Sequence, residues 1–138
     1  MLDIDRNLPD QIFIDPLKIK QILKTILDNA LKFTEKGTIK VEVKTKKEQK
    51  NYIDLIIKVQ DTGIGISQEF LPKIFDYFSQ QEQTDTRRYE GSGVGLALAK
   101  QLTELMNGKI FAESTEKKGT TITLYFKQLK TESPQKDT

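Results

Sequence analysis

The sequence contains no histidine and no cysteine. Without histidine it lacks the commonest general base and the commonest zinc ligand, and no Ser-His-Asp or Cys-His nucleophilic centre can form within it. Without cysteine there is neither disulfide nor thiolate chemistry, which favours a reducing, cytoplasmic setting. No apolar run approaches the roughly 20 residues of a membrane helix, and no signal-peptide pattern opens the chain, so no membrane contact is expected. The 22 basic and 20 acidic residues are intermixed for a net charge of +2, which is no nucleic-acid footprint. No GxxxxGK[ST] run occurs, which excludes a P-loop.

What is present fits one domain. A chain of 138 residues, 36% of them hydrophobic, buries roughly two-thirds of its unfolded surface and builds an ordinary core without staples. Asp15-Pro16 reads as an N-cap followed by a first-turn proline, and Ile19, Ile22, Leu23, Ile26, Leu27, Ala30 and Phe33 recur at helical spacing until Gly37. Residues 38–44 and 52–61 alternate as half-buried strands, with the charged "KTKKEQKN" between them as a hairpin loop. The short apolar patches around Leu8-Pro9 read as edge strands. A short helix is expected over 68–75, and a longer one over 94–106 with Val94, Leu98, Leu102, Leu105 and Met106 on its buried side. "KIFAES" and "TTITLYFK" are two further strands around the turn "TEKKGT". The predicted fold class is α+β: a two-layer sandwich, one mixed sheet covered on one face by about three helices. The domain is expected over 1–129, with 130–138 as a polar tail or linker.

Four features carry chemistry. Asp61 closes a strand and precedes Gly63 and Gly65, which suits either a ligand approaching the backbone or a plain strand-end turn. Gly91, Gly93 and Gly95 open a helix, where free N–H groups cradle phosphate unless the glycines serve only as a hinge. The spacing is GxGxG after a polar loop, which is a poor Rossmann fingerprint. Gln21, Thr25, Asn29 and Lys32 share one stripe of the first helix; an interior asparagine suits a neutral oxygen facing a phosphate-bound Mg²⁺, and Lys32 suits phosphate charge, although a solvated face is the plainer reading of Lys32. The stretch 79–90, almost without apolar residues, has the character of a mobile lid carrying Arg87 and Arg88.

In this order the motifs resemble the ATP-binding catalytic domain of two-component sensor histidine kinases, in the GHKL superfamily. "QILKTILDNALKFTEKG" resembles the N box, "DTGIGI" the first glycine box, "IFDYF" the F box, "GSGVGLALAKQLTELMNGKI" the second glycine box and "KKGTT" the third. The resemblance implies a Bergerat fold with an ATP lid. It implies that Asp61 binds the adenine amino group, Asn29 coordinates Mg²⁺, Phe33 lies near the base, and Gly91, Gly93 and Gly95 cradle phosphates. The full nucleotide set so implied is Asn29, Lys32, Phe33, Asp61, Gly63, Gly65, Ile66, Phe78, Arg87, Arg88, Gly91, Ser92, Gly93, Val94, Gly95, Leu96 and Thr121, with Asn29 and Lys32 as the catalytic pair. Three positions depart from the family pattern: Thr25 replaces a frequent asparagine, Tyr77 a frequent proline, and Lys117 a glycine.

Thr25 discriminates within the superfamily, because the gyrase, MutL and Hsp90 types and the anti-sigma-factor serine kinases carry a glutamate there as general base. The resemblance therefore implies transfer of the γ-phosphoryl of Mg·ATP to a histidine on a separate dimerisation and phosphoacceptor domain, and onward to a response regulator. The chain is expected to be an excised, monomeric piece of such a kinase. The alternative is a nucleotide-gated regulatory binding module, a degenerate kinase domain without phosphotransfer; a stand-alone serine kinase or ATPase is disfavoured by Thr25.

Overall fold

The computed structural model describes residues 2–34, 36–76 and 92–131. Its frame is a five-stranded sheet in the order β1-β2-β3-β5-β4, formed by Leu2–Ile4, Ile39–Gln49, Tyr52–Asp61, Gly119–Lys130 and Lys109–Thr115 respectively. β1 runs parallel to β2, and every other neighbouring pair is antiparallel. A parallel neighbour needs a long crossover, and helix α1 (Pro16–Phe33) lies on that connection. Among the described residues the second α-helix is α2 (Ser92–Leu105), and a 3-10 turn occupies Leu71–Lys73. The mixed sheet with helices on one face is the expected α+β sandwich.

Helix α1 starts where the sequence places it. The Asp15 carboxylate accepts from the N–H groups of Leu17 and Lys18, both at 3.1 Å, and Pro16 spends no donor in the first turn. The Lys18 ammonium on the same carboxylate, 2.9 Å away, followed by the Lys18 N–H, holds Asp15 below its ordinary value. Ile22, Ile26 and Ala30 then meet Ile57 and Val59 of β3 and Ile122, Leu124 and Phe126 of β5, with Ala99 of α2 closing the layer. Burying side chains such as Ile22, Leu124 and Phe126 contributes roughly 1.5–3 kcal/mol each. Truncating the fully buried Phe126 to alanine is the single change that damages this core most, at about 3–5 kcal/mol.

Several boundaries differ from the sequence reading. The charged segment after Lys44 is not a loop: β2 continues through Gln49, because its lysines sit on an alternating strand with a solvated face, and Thr45 donates from N and Oγ1 to Asp5 Oδ2 at 3.0 and 3.1 Å. The helix expected over 68–75 is only a 3-10 turn flanked by turns. Near the N-terminus one edge strand forms at Leu2–Ile4, while Ile12 makes an isolated bridge to Thr131. β5 runs through Lys130, and the polar tail from 132 onward lies outside the described residues.

Helix α2 begins two residues earlier than expected, and of the expected buried side Leu102 and Met106 pack against the core while Leu98 and Leu105 do not. Leu98 and Leu105 are 39% and 70% exposed, whereas Leu96, Ala97, Ala99 and Thr103 are buried. Small residues let α2 approach α1 closely, and the Thr103 hydroxyl satisfies itself by donating to the Ala99 carbonyl at 2.7 Å. The helix stops at Asn107, φ 61°, where the N–H groups of Asn107 and Gly108 close back on the carbonyls of Glu104 and Thr103. That pair of bonds is a Schellman cap, and it turns the chain straight into β4.

Candidate nucleotide site

The end of β3 and the end of α1 meet in one corner. Asp61, the last residue of β3, is 6% exposed on the helix-covered face of the sheet. Its Oδ1 accepts from the Gly63 N–H at 2.9 Å, which bends the chain sharply out of the strand, and the Ile64 N–H then reaches the Phe33 carbonyl of α1 at 3.2 Å. Burial pushes the Asp61 carboxyl up from its ordinary value. The N–H groups of Gly63 and Thr120 pull the other way without outweighing burial. Thr34 adds a weaker pull, although its buried Oγ1 completes no hydrogen bond of good geometry. A largely desolvated carboxylate is suited to accept hydrogen bonds from a ligand amine.

The turn after Asp61 is interlocked with the β4–β5 turn. Gly65, at φ 73°, leaves no room for a Cβ against the Thr115 carbonyl, and Gly119, at φ 126°, leaves none against the Asp61 carbonyl. Lys117 N–H donates to the Ile64 carbonyl at 2.6 Å. Ser114 Oγ accepts from the Ile66 N–H at 2.7 Å, donates to the Gly119 carbonyl at 2.8 Å, and lies 2.8 Å from Thr120 Oγ1. Gln68 Nε2 adds a bond to the Ser114 carbonyl at 2.8 Å.

One turn before the end of α1, Asn29 is 7% exposed and its Oδ1 is buried with no hydrogen-bond partner among the described residues. Leaving a buried acceptor unpaired costs about 1–3 kcal/mol, so its persistence in a helix interior points to a ligand. A neutral carbonyl oxygen is a ligand type that Mg²⁺ accepts, so the residue fits the metal the fold family implies. On the same stripe Thr25 is half-buried, while Gln21 and Lys32 are exposed. Lys32 stands in the last turn of α1. Phe33 is buried and lines a cavity of about 370 Å³ together with Lys36, Thr62, Gly63, Ile64, Glu116 and Lys117. Asn29 and Asp61 are not among its walls.

Ile66 and Leu96, 3% and 2% exposed, pack with Phe33, Phe70 and Ile74 into a second apolar cluster that joins the turn after β3 to α2. The structure thus brings Phe33, Asp61, Gly63, Gly65, Ile66 and Leu96 into one region, with Asn29 one turn earlier on α1. Ser92, Gly93, Val94 and Gly95 belong to the first turn of α2 rather than to a loop ahead of it, and the N–H groups of Ser92, Gly93 and Val94 are among those that a helix leaves without internal acceptors. Phe78, Arg87, Arg88, Gly91 and the expected lid lie outside the described residues. Thr121 is not brought in. It pairs with Gln60 and faces away from the helices, and Thr120, the cross-strand partner of Asp61, takes the place beside the carboxylate.

Ser114 and Thr120 were missed by the sequence reading. A signal was available: Ser114 continues the inward alternation Ile110, Ala112, and a polar residue at such a position needs a partner.

The profile of the "Histidine kinase-, DNA gyrase B-, and HSP90-like ATPase" family matches residues 14–130, and the chain belongs to that family. Among individual proteins, it is 40% identical over 114 residues to the sensor histidine kinase GacS of Pseudomonas protegens, covering 83% of this chain and 12% of that protein. It is 42% identical over 124 residues to the sensor histidine kinase WalK of Bacillus subtilis, covering 86% of this chain and 20% of that one. The crystal structure of full-length ShkA in complex with AMPPNP superposes with a TM-score of 0.76 at 26% identity, over 96% of this chain and 26% of that chain. The chain is therefore homologous to the ATP-binding domain of sensor histidine kinases, and it spans between about an eighth and a quarter of these relatives' length.

Proposed function

We propose that this chain is the catalytic ATP-binding domain of a sensor histidine kinase, presenting the γ-phosphoryl of Mg·ATP to a histidine on a separate dimerisation and phosphoacceptor domain, from which it passes to a response regulator. The observation that carries the reading is the unpaired, buried Oδ1 of Asn29, set on the same helix end that the Asp61 turn packs against. Asp61 accepts the amino hydrogens of adenine, and Phe33 supplies an apolar wall for the base. The N–H groups of the first turn of α2 hold phosphate oxygens, helped by the positive end of the helix. Asn29 and the exposed Lys32 face the phosphate end, where Mg²⁺ would be held by Asn29 and would neutralise charge on the phosphates.

The chain supplies positioning and charge stabilisation only. Thr25, half-buried on the Asn29 stripe, has a hydroxyl that stays protonated near neutral pH and takes no proton from water. The sequence has no histidine to accept a phosphoryl group, so the acceptor belongs to another domain. Calorimetric titration with Mg·ATP, with Mg·GTP and with ATP plus chelator tests the binding half. Adding the phosphoacceptor domain tests the transfer half: ATP binding with no phosphohistidine formed on that domain refutes the kinase reading.

A further inference from the structure

Asp61, Thr120 and Ser114 lie side by side across three adjacent strands, each paired in register with the next. All three are on the helix-covered face, and Thr120 and Asp61 are 7% and 6% exposed. The hydroxyl of Ser114 has one proton and two lone pairs. The proton goes to the Gly119 carbonyl, and one lone pair is taken by the Ile66 N–H. The contact of 2.8 Å to Thr120 Oγ1 must then be a bond that Thr120 donates into the second lone pair. Thr120 has spent its only proton, so what its oxygen offers on the Asp61 side is acceptor capacity.

We propose that Ser114 is a positioning residue for nucleotide selection: by committing the Thr120 proton and tying down Ile66, it makes the floor beside Asp61 a surface of acceptors that takes an amino-substituted purine and rejects a keto-substituted one. The inference rests on the reading of this corner as the base end of an ATP site. A keto oxygen brought against the Asp61 carboxylate and the Thr120 oxygen meets acceptors on both sides, and an unpaired polar group at a buried site is what discriminates hardest. Without the Ser114 oxygen the Thr120 hydroxyl is free to rotate and to donate to that keto group.

Calorimetric titration of the chain with Mg·ATP and with Mg·ITP, which carries a keto oxygen in place of the amino group, tests it. Wild type prefers ATP. Ser114→Ala is expected to lose about tenfold in ATP affinity and to narrow the ATP-to-ITP ratio by about fivefold, the scale of one hydrogen bond, and Ser114→Thr restores both. Equal losses for the two nucleotides, or an unchanged ratio, overturn the proposal, because a purely structural serine weakens both alike. Thr120→Val decides the matter if Ser114→Ala does not fold: it narrows the ratio by itself, and an unchanged ratio overturns the proposal. Where both fold, Ser114→Ala adds nothing to the ratio in the Thr120→Val background, and an additive effect likewise overturns it. A wild-type chain that folds but binds no ATP strikes the nucleotide reading itself, whereas ATP binding with an unshifted ratio in the variants strikes this proposal alone.

Discussion

Gly119 lies directly against the main-chain carbonyl of Asp61, so close that no Cβ fits between the β5 turn and the end of β3. The contact locks the carboxylate's own backbone from the strand beside it. Gly119→Ala therefore combines a clash with main chain and a φ of 126° that an alanine adopts only under strain. A loss of about 2–5 kcal/mol is expected in chemical denaturation, together with weakened nucleotide binding in whatever fraction remains folded. Unchanged stability would mean that the two turns are not packed as described.

Asp61→Asn separates stability from function. Burial raises the Asp61 carboxyl above its ordinary value of 3.8, so the charged form destabilises the folded state near neutral pH. Its favourable contribution is fully present below the ordinary value and is lost as pH rises through the folded one. The amide keeps an acceptor for the Gly63 N–H and removes the charge, so Asp61→Asn melts at higher temperature than wild type near neutrality. The difference shrinks as pH falls through the raised value, and thermal melts across that range measure it. ATP affinity follows the opposite course: an ionised Asp61 accepts from the amino group, so wild-type binding weakens as the carboxyl protonates, and the variant does not bind at neutral pH.

Asn29→Ala removes a buried acceptor that finds no partner among the described residues and replaces a mediocre helix former with the best one. Stability is expected to rise by about 0.5–1 kcal/mol, while Mg²⁺-dependent nucleotide binding disappears. Melting curves with and without Mg·ATP read both effects in one experiment. A destabilised variant would show that Asn29 has a structural partner.

Asp54 provides the contrast on the other face of the sheet. It is 2% exposed, its Oδ2 accepts from the Tyr125 hydroxyl and its Oδ1 from the Gln128 N–H, both at 3.0 Å, where β5 carries an extra residue and Gln128 sits at φ 55°. Asp54→Ala strands both donors and is expected to cost about 2–4 kcal/mol. Nucleotide affinity per folded molecule stays unchanged, which calorimetry on the residual native protein checks.

Much of this was readable before the fold was known, because it depends on local chemistry. Asp15-Pro16 announces the start of α1, the alternation of β3 gives its bounds, and an asparagine inside a helix already looked out of place. What was not readable depended on register and on depth. A single step along β5 separates Thr121, which faces outward, from Thr120, which stands beside Asp61, and no local pattern fixes that step. The buried stripe of α2 runs largely through alanine and threonine, so a reading that followed the large apolar residues found Leu102 and Met106 but also chose Leu98 and Leu105, which face out. The extended β2 was hidden by its lysines, which mark a loop or a solvated strand face equally well.

The bond from Ile66 to Ser114 spans 48 residues of sequence, and the contacts of Asp61 with Gly119 and Thr120 reach further still. During synthesis, then, the helix that carries Asn29 and the strand that carries Asp61 emerge well before the segment that holds them in their working arrangement. A nascent chain does not have this corner until β5 has left the ribosome and paired between β3 and β4. Completion of the sheet is in this sense the last step of assembling the site: a chain truncated ahead of β5 keeps its motifs and yet lacks the contacts that bring them together.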